Sequence, residues 1–113
     1  MDKANILIIE DDTGQRDILV EYLKYHGFRV KSAKSGTEGT ASLGNEPFDL
    51  VLLDWRLPDT DGLKMLSEIK EKYPLVHVIM ITAFGTVERA VEAMKKGAYH
   101  YLTKPVNLEH ASG

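Results

Sequence analysis

Six polar residues stand where apolar runs of the sequence end. Glu10, Asp11 and Asp12 follow Asn5 to Ile9, and Asp54 closes the run that begins at Asp49. Thr82 ends the run that begins at Val76, and Lys104 follows the segment Tyr99 to Thr103. Carboxylates brought together repel and raise one another's pKa unless a cation sits among them. A set made only of oxygen ligands suits Mg²⁺ rather than zinc. Mg²⁺ typically takes one or two carboxylates, keeps several waters and bridges to a phosphoryl oxygen, while a lysine neutralises charge on the transferred group. Carboxylates, a hydroxyl and an ammonium are therefore the parts of a phosphate cradle.

The elements between these residues decide whether they meet. Asn5 to Ile9 is rich in β-branched residues and too short for a helix, so it reads as a buried strand. Ile18, Leu19, Tyr22, Leu23 and His26 then fall at helical spacing, with Gly27 at the position of a left-handed terminator. Phe28 to Ala33 alternates like a second strand, and Ser35 with Glu38 forms a capping box for a helix that Gly39 and Gly44 weaken by about 1 kcal/mol each. Asp49 to Asp54 is a third strand, followed by a loop from Leu57 to Gly62. Leu63, Leu66, Ile69 and Tyr73 mark a helix stopped by Pro74. Val76 to Thr82 is a fourth strand. Val87, Ala90, Val91 and Met94 mark a fourth helix closed by Gly97, and Tyr99 to Thr103 is a fifth strand.

Strands alternating with helices imply right-handed crossovers and a doubly wound α/β fold, with a five-stranded parallel sheet covered on both faces. Ligands of such sheets bind beyond the carboxyl ends of the strands, where the chain order reverses. That edge is where the polar residues gather.

Composition narrows the classes. The 113 residues carry 14 basic and 17 acidic side chains, a net charge of -3, and 43% hydrophobic residues, which describes one globular domain. There is no basic cluster of the kind that binds nucleic acid. No apolar run approaches the length that spans a bilayer, and the amino terminus lacks a signal-peptide pattern, so a cytoplasmic location is expected. Without cysteine, any chemistry falls to carboxylates, hydroxyls, lysine or histidine. His26, His77, His100 and His110 show no metal-ligand spacing.

Four motifs in order resemble the receiver domain of bacterial two-component response regulators. They are Glu10 and Asp11 with Arg16 five positions on; Asp54 to Pro58 with Asp61 and Gly62; Thr82 with Ala83; and Lys104 with Pro105. The resemblance covers essentially the whole chain and implies a flavodoxin-like strand order of 2-1-3-4-5. By it, Asp54 is the phosphoacceptor for a phosphohistidine of a sensor histidine kinase, with Thr82 and Lys104 completing the catalytic set. Asp11, Asp54 and the backbone carbonyl of Arg56 would hold Mg²⁺, and Glu10 would act through a bound water. Asp12 lies beyond the strand, with a direct role left open. Thr82 and Tyr101 would be the switch residues, rearranging on phosphorylation to alter the surface of the fourth helix and fifth strand. The Lys104–Pro105 peptide is expected to be cis; Arg56 and Phe84 would border the phosphoryl pocket and influence how readily water attacks, with Phe84 expected to shield it and slow hydrolysis.

The segment from Thr82 to Tyr99 is similar to activators that work with the sigma-54 polymerase. This implies a covalently linked output domain, an ATPase and a DNA-binding unit, in a transcriptional regulator of which this chain is an amino-terminal fragment. Receivers normally close with a fifth helix, and Glu109 to Gly113 is too short to supply one. A truncation, or a homodimer covering the bare apolar face, is therefore expected.

Other readings compete residue by residue. Acids at strand ends are often loop solvation, Asp59, Asp61 and Gly62 read as turn chemistry, and Thr82 and Tyr101 taken singly fit ordinary packing. A phosphohydrolase of the haloacid dehalogenase type also uses a strand-end aspartate, Mg²⁺ and lysine, but needs a second aspartate where Arg56 stands. A flavodoxin-type module would offer glycines and hydroxyls after the first strand rather than acids. A receiver-like interaction module that never takes phosphate fits poorly with Asp54, Thr82 and Lys104 all being present.

Overall fold

A computed structural model of the chain describes residues 3–104. Its elements run β1 (Asn5–Ile9), α1 (Thr13–Tyr25), β2 (Arg29–Ala33), α2 (Gly36–Asn45), β3 (Leu50–Asp54), α3 (Gly62–Lys72), β4 (His77–Thr82), α4 (Val87–Lys95) and β5 (His100–Thr103). All strand pairs are parallel, in the order β2-β1-β3-β4-β5, as expected. The expectations about a cis Lys104–Pro105 peptide and a fifth helix concern residues outside those described.

Both faces of the sheet centre are apolar, which is why β1, β3 and β4 read as continuous runs, whereas the edge strands β2 and β5 are largely exposed. Leu7, Ile9, Val51, Leu53, Val78 and Met80 point to one core with Leu43 of α2, Met65, Leu66 and Ile69 of α3, and Ala93 of α4. Ile6, Ile8, Leu52 and Ile81 point to the other, with Leu19 of α1. No helix among the described residues is long and apolar enough to cross a membrane.

Helix ends follow local chemistry. Asp12, Ser35, Asp61 and Thr86 are N-caps whose side chains accept backbone N–H bonds of the first turns. Gly27 (φ 91°) and Gly97 (φ 104°) take the left-handed conformation after α1 and α4. In both, the glycine and the residue after it donate back to the last turn, closing Schellman motifs through Leu23 and Ala93.

Three expectations need correction. In α1 the inward residues are Leu19, Val20 and Leu23, whereas Ile18 is 58% exposed. In α4 the expected stripe of Val87, Val91 and Met94 is exposed, and the small side chain of Ala93 enters the core instead. Gly39 is more than a propensity cost: a Cβ there would lie 2.5 Å from Ile9 Cδ1, so its absence lets α2 approach β1.

Candidate functional site

The parallel register brings the strand ends together. Glu10 follows β1, Asp54 ends β3, Thr82 ends β4 and Lys104 follows β5; Glu10, Asp54 and Thr82 are buried. Continuing backbone pairing holds them there. Glu10 N–H donates to the Ala33 carbonyl at 3.0 Å, Trp55 N–H to Ile81 at 2.8 Å and Lys104 N–H to Thr82 at 2.7 Å.

Lys104 organises the side chains. Its Nζ lies 2.6 Å from Glu10 Oε1 and 3.0 Å from Asp54 Oδ2. Asp54 Oδ1 accepts from the Arg56 N–H at 3.3 Å, a long bond. Asp54 lines a cavity of about 300 Å³ together with Asp11, Arg56, Leu57, Pro58, Thr82, Ala83, Phe84 and Lys104. The Thr82 hydroxyl accepts from the Phe84 N–H at 3.1 Å, which fixes the β4–α4 turn beside it. At the cavity wall the Arg56 guanidinium stands 4.6 Å from the Phe84 ring centroid.

Electrostatics within this cluster are opposed. Burial, then the hydrogen bond and charge of Asp54, push Glu10 from 4.5 up to about 7, against the pull of Lys104. For Lys104, burial works to lower the pKa, but the hydrogen bonds and charges of Glu10 and Asp54 outweigh it and the net direction is up. The ammonium is held charged while one of its carboxylates is close to protonation.

Carboxylate oxygens of Glu10, Asp11 and Asp54 lie within 4.8 Å of one another. Asp12 is outside this group: its Oδ1 accepts from Gln15 N–H at 2.8 Å, so its side chain serves α1. Glu10 Oε2 is buried with no hydrogen-bond partner among the described residues, a costly state for a carboxylate oxygen. A cation held among these three acids would relieve their repulsion and the unmet burial of Glu10, so the donor set fits a hard, oxygen-seeking metal.

Tyr101 lies behind the site. Its ring meets Trp55 edge-on at 6.3 Å, and its hydroxyl is buried. Trp55 is covered on another side by the Arg89 guanidinium of α4, 4.9 Å from its ring centroid. Sequence reasoning missed three supporting contacts. Arg16 Nη1 donates to the carbonyls of Glu10 and Asp11 at 2.8 and 3.2 Å and shapes the acidic turn. Its spacing from Asp11 was the available signal. The Arg89 stack and the reach of Asp59 to α2 join distant segments, and no local pattern announces them.

Against known proteins, the sequence matches the family described as "Response regulator receiver domain" over residues 6–111. The chain belongs to that family. It is 41% identical over 107 residues to the transcriptional regulatory protein ZraR of Salmonella typhimurium, covering 95% of this chain and 24% of that protein. It is 40% identical over 108 residues to the response regulator protein PilR of Pseudomonas aeruginosa, covering 96% of this chain and 24% of that one. The receiver domain thus spans about a quarter of the length of these curated relatives. Among solved structures, a CheY-like receiver domain protein from Methanospirillum hungatei superposes with a TM-score of 0.93 at 34% identity, covering 98% of this chain and 89% of that one. A Burkholderia pseudomallei response regulator described with a phosphorylated aspartic acid, a calcium ion and citrate superposes with a TM-score of 0.90 at 30% identity, covering 98% of this chain and 65% of that one.

Proposed function

We propose that this receiver domain is a phosphorylation-dependent signalling switch in which Asp54 accepts a phosphoryl group from a sensor histidine kinase in a Mg²⁺-dependent reaction. The observation that carries the reading is the asymmetry of Asp54. One carboxylate oxygen is tied to Lys104, while the other meets a single long backbone bond among the described residues, and Asp54 itself lines the cavity. That second oxygen attacks phosphorus. The O–P bond forms as the P–N bond to the kinase imidazole breaks, and the electron pair leaves with the ring nitrogen.

Asp11, Asp54 and the Arg56 carbonyl would hold Mg²⁺, with Glu10 reaching it through water; bound there, the ion supplies positive charge to the phosphoryl oxygens. Lys104 neutralises another phosphoryl oxygen, and the Thr82 hydroxyl turns to donate to a third. Phosphorylation takes Asp54 from about -1 to about -2 and adds strong acceptors, which rebalances two packings of α4 and β5 through Thr82 and Tyr101. Arg56 and Phe84 roof the cavity and slow hydrolysis of the acyl phosphate. Transfer onto Asp54 and slow self-dephosphorylation are the whole chemistry, without turnover of external esters. The length of both relatives supports a covalently linked output domain, and the name of ZraR supports one that regulates transcription; its construction from an ATPase and a DNA-binding unit is what the similarity of the segment from Thr82 to Tyr99 implies.

Trp55 fluorescence tests this reading. A saturable change with Mg²⁺, enlarged by beryllofluoride and abolished in Asp54→Asn, is expected. A flat response from folded wild-type protein would favour an interaction module that takes no phosphate.

A further inference from the structure

The loop between β3 and α3 carries both the Arg56 N–H that meets Asp54 and the Arg56 carbonyl assigned to the metal. It is anchored at each end. Gly62 N–H donates to the Trp55 carbonyl at 2.7 Å, and Arg56 pairs with Asp61 in an isolated antiparallel bridge. Its tip is held by a different element altogether. Asp59 Oδ1 accepts from Gly36 N–H at 2.8 Å, and Asp59 Oδ2 accepts from Thr37 N–H at 2.8 Å and the Thr37 hydroxyl at 2.6 Å. Three bonds from one carboxylate therefore bind the loop to the first turn of α2, more than 20 residues away.

The helix α2 has an N-cap of its own. Ser35 already caps that helix, accepting from Glu38 N–H at 3.1 Å, and the Glu38 carboxylate reaches back to Lys34 N–H at 3.2 Å. The Asp59 bonds take two first-turn N–H groups that Ser35 leaves without a helix partner, that of buried Gly36 and that of exposed Thr37. Their distinctive consequence lies on the loop. The chain reverses between Arg56 and Asp61, so fixing its tip restricts the rotation of the peptide that carries the Arg56 carbonyl. Close packing agrees: a Cβ on Gly36 would lie 2.5 Å from Thr60 Cγ2, so the helix and loop tip are in direct contact. The three donors also hold the Asp59 carboxyl below its ordinary value, so the staple stays charged through the neutral range.

We infer that Asp59 is a positioning residue for the phosphoacceptor site, holding the β3–α3 loop against α2 so that the Arg56 backbone faces Asp54 and the metal. The inference rests on the reading of Asp54, Asp11 and Arg56 as the Mg²⁺ site. Supporting partners of a metal site commonly change affinity by about 10- to 100-fold when removed, although they touch no metal.

The test compares Asp59→Ala, Asp59→Asn and Ser35→Ala in the 113-residue chain, with circular dichroism to establish folding. Ser35→Ala weakens the cap of α2 without touching the loop, so it separates loop positioning from helix stability. Two readouts are needed: amide hydrogen exchange of residues 55–61 without metal, and the Mg²⁺ Kd from Trp55 fluorescence. Asp59→Ala is expected to speed exchange across the loop and raise the Mg²⁺ Kd about tenfold. Asp59→Asn, which keeps one acceptor oxygen, should fall between it and wild type. Ser35→Ala should match wild type in Kd. Equal Kd values for wild type and both Asp59 variants would overturn the inference, as would an equal loss in Ser35→Ala. Should Asp59→Ala fail to fold, the Asn variant decides alone: an unchanged Kd and loop exchange overturn the inference, and a rise in both supports it. If wild type itself shows no Mg²⁺ response, the metal-site reading has failed, and loop exchange alone reports on the staple.

Discussion

The Lys104 ammonium lies 2.6 Å from Glu10 Oε1, and both side chains are largely buried. A lysine from one end of the chain thus neutralises an acid from the other. The pair holds β1 and β5, which do not pair directly, to the same site through the strand ends between them. Removing one member of a buried pair leaves the other charge uncompensated, which ordinarily costs about 3 to 5 kcal/mol. Here Glu10 can escape part of that cost by taking a proton.

Lys104→Met is therefore expected to lose about 3 kcal/mol of unfolding free energy at pH 8 in EDTA, and clearly less at pH 5.5, where Glu10 is neutral. Urea unfolding at the two pH values measures both. Equal losses would mean that Glu10 does not respond to the lysine.

Wild-type protein should show the linked proton directly. The Glu10 carboxyl titrates near 7 in the fold against an ordinary 4.5, so the native state binds the proton more tightly than the unfolded chain. Its contribution to stability is complete below about 4.5 and is lost as pH rises to about 7. Asp59 has the opposite sign, but its lowered pKa confines that loss to the acid side of the usual aspartate range. Lys104, raised above 10.5, loses its contribution only in strong base. Between pH 5 and 7, thermal melts in EDTA should therefore show a Glu10-dependent fall in Tm that Glu10→Gln removes. Mg²⁺ competes with the same proton, so its Kd should tighten as pH rises through 7. A Kd flat from pH 6 to 8 would contradict this assignment.

Two glycines separate propensity from packing. A Cβ on Gly62 would lie 2.7 Å from Trp55 Cα and closer still to the Asp54 carbonyl, whereas one on Gly44 meets nothing within 4 Å among the described residues. Helix propensity favours alanine at both by up to about 1 kcal/mol. At Gly62 the backbone collision wins, and Gly62→Ala should destabilise by about 2 kcal/mol or more and blunt the Mg²⁺ response. Gly44→Ala should gain about 0.5 kcal/mol in urea unfolding.

Phe84 is 52% exposed yet lines the cavity, with Arg56 against its ring. Phe84→Ala opens that wall. The phosphorylated protein, freed of donor, should lose its phosphoryl group several-fold faster, followed by intact mass over time. An unchanged lifetime would show that water reaches Asp54 by another route.

Much of this was legible in the sequence because it is local. The central strands β1, β3 and β4 announce themselves as apolar runs buried on both faces, and parallel order follows from the alternation of strands with helices, so Glu10, Asp54, Thr82 and Lys104 converge by topology alone. Gly27 and Gly97 were legible for the same reason. What periodicity cannot supply is which way an amphipathic helix faces. Val87, Val91 and Met94 form the larger stripe of α4, yet Ala93 fits the core it shares with Trp55 and Tyr101. Asp59 was readable as a turn residue but not as a staple, because its partners Gly36 and Thr37 lie over 20 residues away. The reach of Lys104 to Glu10 was legible only as a shared edge, and its 2.6 Å distance needed the fold.

The central claim is that Asp54 takes a phosphoryl group. The most direct test incubates the chain with Mg²⁺ and a small phosphoryl donor such as phosphoramidate, then reads intact mass and locates the modification after trapping the acyl phosphate with borohydride. One phosphoryl group on Asp54, formed with Mg²⁺, absent with EDTA and absent in Asp54→Asn, is the predicted result. No mass gain from folded, Mg²⁺-loaded protein, or a gain that survives in Asp54→Asn, would contradict it.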